Sequence, residues 1–200
     1  MKRNATPPTP PRKRVAITGG IGSGKSFVCQ LLLSRGIKVY DCDEAAKRLM
    51  RDDAQVRNAL RQLVGDEVYQ GHVLQKHVMA QFILESEANK QAVNAIVHPA
   101  VARDFEQSEF TWLESAILFD SKFHLQTRFD HVVCVTAPND LRIERIMPRD
   151  HISRQQALQW IERQLPQDEV RSLSDFEIVN DGQHDLDQQI DNIIKQINQS

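Results

Sequence analysis

The sequence predicts an α/β fold, a five-stranded parallel sheet flanked by helices, and three observations carry that expectation. The short apolar run Val15–Thr18 passes through a glycine turn into a helical stretch and then a second apolar run at Ile37–Tyr40. Apolar runs rich in β-branched residues recur at His131–Thr136 and Phe176–Val179. Between residues 44 and 110 the pattern is helical, with no strong strand signal. Two strands joined through a helix within residues 15–40 must lie parallel, with a right-handed crossover.

Each element follows from its own pattern. From Gly24 to Ser34 the apolar residues Val28, Leu31 and Leu32 recur at helical spacing, and Gly36 stops the helix. Ala45, Ala46, Leu49 and Met50 make one apolar stripe, and Val56, Ala59, Leu60, Leu63 and Val64 a second. Val78, Met79, Phe82 and Ile83 continue it, followed by Ala92, Val93, Ile96 and Val97. Trp112–Phe119 is apolar enough for a third strand. His131–Thr136 is the fourth, where branched side chains favour a pleated surface. Residues 141–165 read as helical and arginine-rich, interrupted at Pro148. Phe176–Val179 is the fifth strand, and Asn180-Asp181-Gly182 is its closing turn. Leu186, Ile190, Ile193, Ile194 and Ile197 form the stripe of a final helix. The expected organisation is a disordered Pro-rich basic tail over residues 1–14, a core made of residues 15–43 and 111–200, and a helical insertion over 44–110.

Composition narrows the partners. The chain has 200 residues and a formal net charge of −2, so no basic excess is available for holding a nucleic acid. No stretch approaches the roughly 18 apolar residues that a membrane span needs. Cys29, Cys42 and Cys134 show neither a C-x-x-C pair nor zinc spacing. They read as free thiols of a reducing compartment, which points to the cytoplasm. Small-molecule partners are expected, with no nucleic acid or membrane and a monomeric or weakly homo-oligomeric state.

Gly19-Gly20-Ile21-Gly22-Ser23-Gly24-Lys25-Ser26 matches G-x-x-x-x-G-K-[ST] between an apolar strand and a helix. Such a P-loop wraps a polyphosphate in backbone N–H groups, and a side chain at Gly19 or Gly24 would block that approach. The following helix aims its positive end at the phosphates. Lys25 supplies charge to the β- and γ-phosphates, and Ser26 a hydroxyl to Mg²⁺. ATP and Mg²⁺ are therefore the expected cofactors. No N-K-x-D guanine motif and no L-S-G-G-Q segment occurs, which argues against a GTPase or a transporter ATPase. Ile117-Leu118-Phe119-Asp120 looks like a strand closed by an acid, but Ser121 follows where many ATPases carry a water-activating Glu. A small-molecule kinase with a short core, an acceptor-binding insertion and an arginine-bearing lid over about 142–165 fits better. A kinase for a different small acceptor and a nucleotide-dependent switch are the competing readings.

The ordered motifs resemble the dephospho-coenzyme A kinase family. Thr18 to Ser26 looks like its T-G-G-I-G-S-G-K-S, and Asp41-Cys42-Asp43 like its D-x-D after the second strand. His98-Pro99 is similar to the H-P that ends its inserted helix, with Pro99 expected to hold His98 extended. Arg145 and Arg149 resemble its lid arginines, followed by Arg163-Gln164, and Asn180-Asp181-Gly182 resembles its N-x-G near the adenine. Phe27 stands where the family usually has Thr, Ala116 to Asp120 replaces P-L-L-F-E, and Lys76 falls at a family Arg.

The resemblance implies transfer of the ATP γ-phosphoryl group to the ribose 3′-hydroxyl of dephospho-CoA. It assigns Asp43 as base, with Asp41 as its rival or a Mg²⁺-water partner. Lys25, Arg145 and Arg149 would stabilise the transferring group, with Arg149 beyond the helix that Pro148 ends. Gly20 to Phe27 and Asn180 would hold the nucleotide. Asp41, Asp43, Lys76 and His98 would meet the acceptor.

Overall fold

A computed structural model describes residues 13–200; the expected tail lies, up to residue 12, outside the described residues. The strands are β1 (Val15–Thr18), β2 (Val39–Asp41), β3 (Tyr69–Gln70), β4 (Val73–Leu74), β5 (Trp112–Glu114), β6 (His131–Thr136) and β7 (Phe176–Val179). The helices are α1 (Lys25–Ser34), α2 (Cys42–Asp52), α3 (Ala54–Val64), α4 (Lys76–Glu85), α5 (Glu87–Gln107), α6 (Asn139–Asp150), α7 (Arg154–Glu162), α8 (Gln167–Ser172) and α9 (Leu186–Gln199).

The main sheet has five strands in the order β2-β5-β1-β6-β7, all parallel. Alternation along the strands divides the core in two. Val15, Ile17, Trp112, Val133, Val135 and Ile178 pack on one face with Val28 and Leu32 of α1 and Ile190, Ile193 and Ile197 of α9. Ala16, Tyr40 and Leu113 point to the other face, where Val97, Val101 and Phe105 of α5 and Leu49 and Leu60 of the preceding helices cover them. A third small cluster, Ile143, Ile146, Ala157 and Ile161, joins α6 to α7 and takes in Ile21 of the glycine loop.

Caps fix where helices begin. Asp41 accepts from Glu44 N at 2.9 Å and starts α2 directly on the end of β2. Asp53 caps α3 and Ser86 caps α5. Ser153 and Gln156 form a reciprocal capping box at α7.

Five expectations need correction. The third strand ends at Glu114, not Phe119. After Ser115 N bonds Ile17 O the chain turns, through Ser121 N to Ile117 O and Lys122 N to Phe119 O. The apolarity of that turn comes from Leu118, which is fully buried in the core beside α5, and a short apolar run does not by itself distinguish strand from buried turn. The inserted segment also contains a small antiparallel pair, β3 with β4, and a short α8 follows α7.

Both internal prolines sit inside helices. α5 runs through Pro99, so His98 is helical, not extended. α6 runs through Pro148 to Asp150, so Arg149 lies on the helix rather than in a loop. The carbonyls that lose a partner belong to Ala95 and Glu144, both exposed residues, where solvent replaces the missing N–H donor. The break between α6 and α7 falls instead at His151, a left-handed residue with φ 54°. Among the described residues no helix is long and apolar enough to cross a membrane.

Candidate active site

Every parallel strand ends at the same edge of the sheet, and ligands of open α/β sheets bind there. The glycine loop leaves β1 at that edge. Gly19, Gly22 and Gly24 have φ of 144°, 78° and 95°, a region side chains avoid. Space forbids side chains too. A Cβ on Gly19 would meet the carbonyl oxygen of Val135, and one on Gly24 would meet the amide nitrogen of Asn180. Gly24 caps α1 without a side-chain bond, so the first N–H groups of α1 stay available to an anion.

Lys25 is the first residue of α1 and only 8% exposed. Its ammonium donates to Gly19 O at 2.7 Å and Gly20 O at 3.4 Å. It stands 3.9 Å from Glu114. Burial pulls the Lys25 ammonium below its ordinary value, and the nearby Glu114, Cys29 and Asp43 offset part of that.

Glu114 was not singled out from the sequence. It ends β5, paired in register with Ile17 on one side and Asp41 on the other. Burial pushes its carboxyl up to about 7; Lys25 opposes this and Asp41 and Asp43 add to it. Asp43 lies in the first turn of α2 rather than on the strand, and its charge acts on both Lys25 and Glu114. Glu114 from β5 and Asp43 from α2 thus act on one lysine, and Asp41 from β2 acts on Glu114. In the sequence Glu114 lies inside the apolar run Trp112–Phe119, and the acid that closes the run is Asp120. Asp120 lies in the turn beyond β5, where it accepts from Leu165 N at 2.8 Å and holds the segment after α7.

Asn180 is buried at the end of β7 and donates to Ser23 O at 2.8 Å. Arg145 reaches the same place: it donates to Gly22 O and Ser23 O at 3.3 Å each and to Asn180 O at 3.0 Å. Both residues hold the loop from behind. The Ser23 hydroxyl is buried without a hydrogen-bond partner among the described residues. Arg149 stands apart from the loop, exposed and paired with Asp150 at 2.6 Å. Ser26 and Phe27 are exposed on the first turn of α1, with Phe27 52% exposed.

Two further residues hold the loop tip. Arg142, 3% exposed, donates from Nε to Ile21 O at 2.9 Å. Gln164 Oε1 accepts from Ile21 N at 2.7 Å. His98 is half-buried against the ring of Phe123, with centroids 5.6 Å apart, and burial lowers its pKa. It lines a cavity of about 380 Å³ with Asn94, Lys122, Arg163 and Gln164, and Gln164 connects that cavity to the loop. Lys76 is exposed at the start of α4 and makes no hydrogen bond or ion pair among the described residues; the structure does not bring it to the lysine–carboxylate centre.

The chain is similar to known proteins along most of its length. Residues 13–185 match the dephospho-CoA kinase family. A dephospho-CoA kinase of Bacteroides fragilis is 39% identical over 184 residues, 88% of this chain and 89% of that protein. One of Porphyromonas gingivalis is 39% identical over 193 residues, 92% of this chain and 93% of its own. The crystal structure of a Thermus thermophilus protein superposes with a TM-score of 0.78 at 28% identity, covering 92% of this chain and 96% of that one. Matched in this way from before β1 to beyond β7, the chain belongs to the dephospho-CoA kinase family, ATP-dependent kinases of coenzyme A biosynthesis.

Proposed function

We propose that the chain transfers the γ-phosphoryl group of ATP to the ribose 3′-hydroxyl of dephospho-CoA, with Asp43 as the base. The observation that carries this is the buried Lys25 at the mouth of the glycine loop, within reach of the charges of Glu114 and Asp43, with Asp41 beside Glu114. A phosphoryl donor on the loop amides and Lys25 presents its γ-group toward those acids. A carboxylate there accepts the proton of the attacking hydroxyl and orients it in line. Asp41 is bonded to Glu44 N as a helix cap, so Asp43 is the freer of the pair.

The hard oxygens of Ser26, Asp41 and Glu114 suit Mg²⁺, which keeps several waters and binds through one or two protein oxygens plus phosphates. Bound there, Mg²⁺ would neutralise charge on the phosphates. Asn180 and Arg145 keep the loop in shape from behind. Arg149, free of the loop, is placed to swing toward the transferred group. The insertion at residues 44–110, with His98 and its cavity, receives the rest of the acceptor, and Lys76 meets it at an outer position. Lid closure over about 142–165 excludes water from the transfer.

Asp43→Asn tests the central role. The expected result is a fall in kcat of ~10²–10⁴-fold, the range for a lost general base, with ADP affinity unchanged. Turnover within threefold of wild type would remove Asp43 from the mechanism. Phosphorylation of a control alcohol such as shikimate, with none of dephospho-CoA, would keep the chemistry and discard the acceptor.

A further inference from the structure

The tip of the glycine loop is gripped from three directions by one helical unit. The Ile21 side chain packs into the small cluster of Ile143, Ile146, Ala157 and Ile161 that joins α6 to α7. Its carbonyl accepts from Arg142 Nε at 2.9 Å. Its N–H donates to Gln164 Oε1 at 2.7 Å. Gln164 Oε1 also accepts from Arg142 Nη2 at 3.4 Å, and Arg142 Nη1 donates to Asn139 at 3.2 Å. The grip is close enough to explain two glycines. A Cβ on Gly20 would strike the Arg142 guanidinium, and one on Gly22 would lie 2.7 Å from Arg142 O.

Arg142 is unusual for a buried cation. All its acceptors are neutral, and among the described residues it has no ion pair. A buried charge is costly unless paired. Its retention beside a phosphate loop leaves positive potential where an anion is to bind.

We propose that Arg142 and Gln164 are positioning residues that lock Ile21, and so the tip of the phosphate loop, into its nucleotide-accepting shape. The bonds tie the loop to the helix that carries Arg145 and Arg149. The two ends of the lid segment, Arg142 and Gln164, are therefore fixed against the phosphate cradle. Neither side chain needs to touch the reacting atoms. The proposal rests on the nucleotide role of the loop, so its test measures nucleotide binding directly, without turnover.

Gln164→Ala and Arg142→Met, singly and together, are titrated with a fluorescent ADP analogue, with Tm recorded for each. Each single variant loses a hydrogen bond to Ile21 and is expected to weaken ADP binding roughly 5- to 10-fold. Because both hold Ile21, the double variant should be less than multiplicative. Arg142 does not line the cavity beside His98, so Arg142→Met should raise the KM for ATP while leaving the KM for dephospho-CoA within twofold. ADP affinity of Gln164→Ala within twofold of wild type, at unchanged Tm, would overturn the proposal. Equal increases in both KM values for Arg142→Met would also overturn it, since they indicate general loosening. Gln164 is only partly buried, so its variant decides the matter even if the Arg142 variant fails to fold. If wild type itself binds no ADP, the nucleotide assignment fails rather than the clamp.

Discussion

Two halves of the site face each other across one sheet edge, and they are built in opposite ways. The phosphate half is a single unbroken run, Gly19–Ser26, whose glycines take conformations open to few other residues. The acidic half is gathered from the end of β2, the first turn of α2 and the end of β5. The first half is specified locally, by backbone freedom and close approach. The second exists only because β5 pairs between β1 and β2 with Glu114 level with Asp41 and Ile17. A slip of one residue in that register would turn Glu114 to the other face of the sheet. The local half should therefore fail sharply when a backbone position is changed. The assembled half should fail through its charges.

The largest effect is expected in the loop itself. Gly24→Ala places a Cβ against the Asn180 amide at φ 95°. The left-handed backbone costs about 1–2 kcal/mol for a non-glycine residue, and displacing Asn180 from Ser23 O costs about 1 kcal/mol more. ADP binding should weaken on the order of 100-fold, since each 1.4 kcal/mol is tenfold. Calorimetric titration checks it. A nearly unchanged affinity would mean that the loop is less locally constrained than its geometry implies.

The same contrast explains what was legible in the sequence. The strand, loop and helix from Val15 to Ser34 could be read with their boundaries nearly right, because the signal and the structure occupy the same residues. The five-stranded sheet and the closing helix followed from period and branching in the same way. Glu114 could not be read. Nothing around it says that Trp112-Leu113-Glu114 ends as a strand while Ala116 to Phe119 folds back as a buried turn. The two prolines misled for a related reason. Pro99 and Pro148 each remove one N–H, but whether that ends a helix depends on where the abandoned carbonyl faces. Here it belongs to an exposed residue in both cases. Arg142 and Gln164 were visible as an arginine-rich helix and its sequel, but not their convergence on Ile21.

A second experiment sharpens the comparison inside α6. Arg145 is bound to the loop and to Asn180, whereas Arg149 is exposed and, among the described residues, held only by Asp150. Arg145 belongs with the local half, as part of its support. Arg145→Ala should therefore act mainly on nucleotide affinity, raising the KM for ATP about 5- to 10-fold through the loss of several long bonds at about 1 kcal/mol in total. Arg149 has no loop contact to lose. If it swings to the transferring phosphoryl group, Arg149→Ala should lower kcat by ~10–100-fold, below the full value of a fixed donor, with ADP affinity unchanged. The split is read from steady-state kinetics beside ADP titration. The opposite split would exchange the two roles.

The smallest effect concerns charge in the assembled half, and pH reveals it. Burial holds the Glu114 carboxyl protonated in the folded chain up to about 7, whereas its ordinary value is 4.5. Between these values the unfolded chain releases a proton that the folded chain keeps. Raising the pH therefore favours unfolding, and the contribution of Glu114 to stability is full below about 4.5 and lost by the time the pH passes about 7. Glu114→Gln keeps the shape and removes the titration. Its Tm, followed by scanning calorimetry, should rise relative to wild type across that window, by roughly ten degrees in a chain of this size. Above it the difference should stay constant. Parallel Tm curves throughout would mean that Glu114 ionises as freely in the folded chain as in water. The acidic half would then be solvated, and the burial that lowers the Lys25 ammonium would not extend to the carboxylate nearest it.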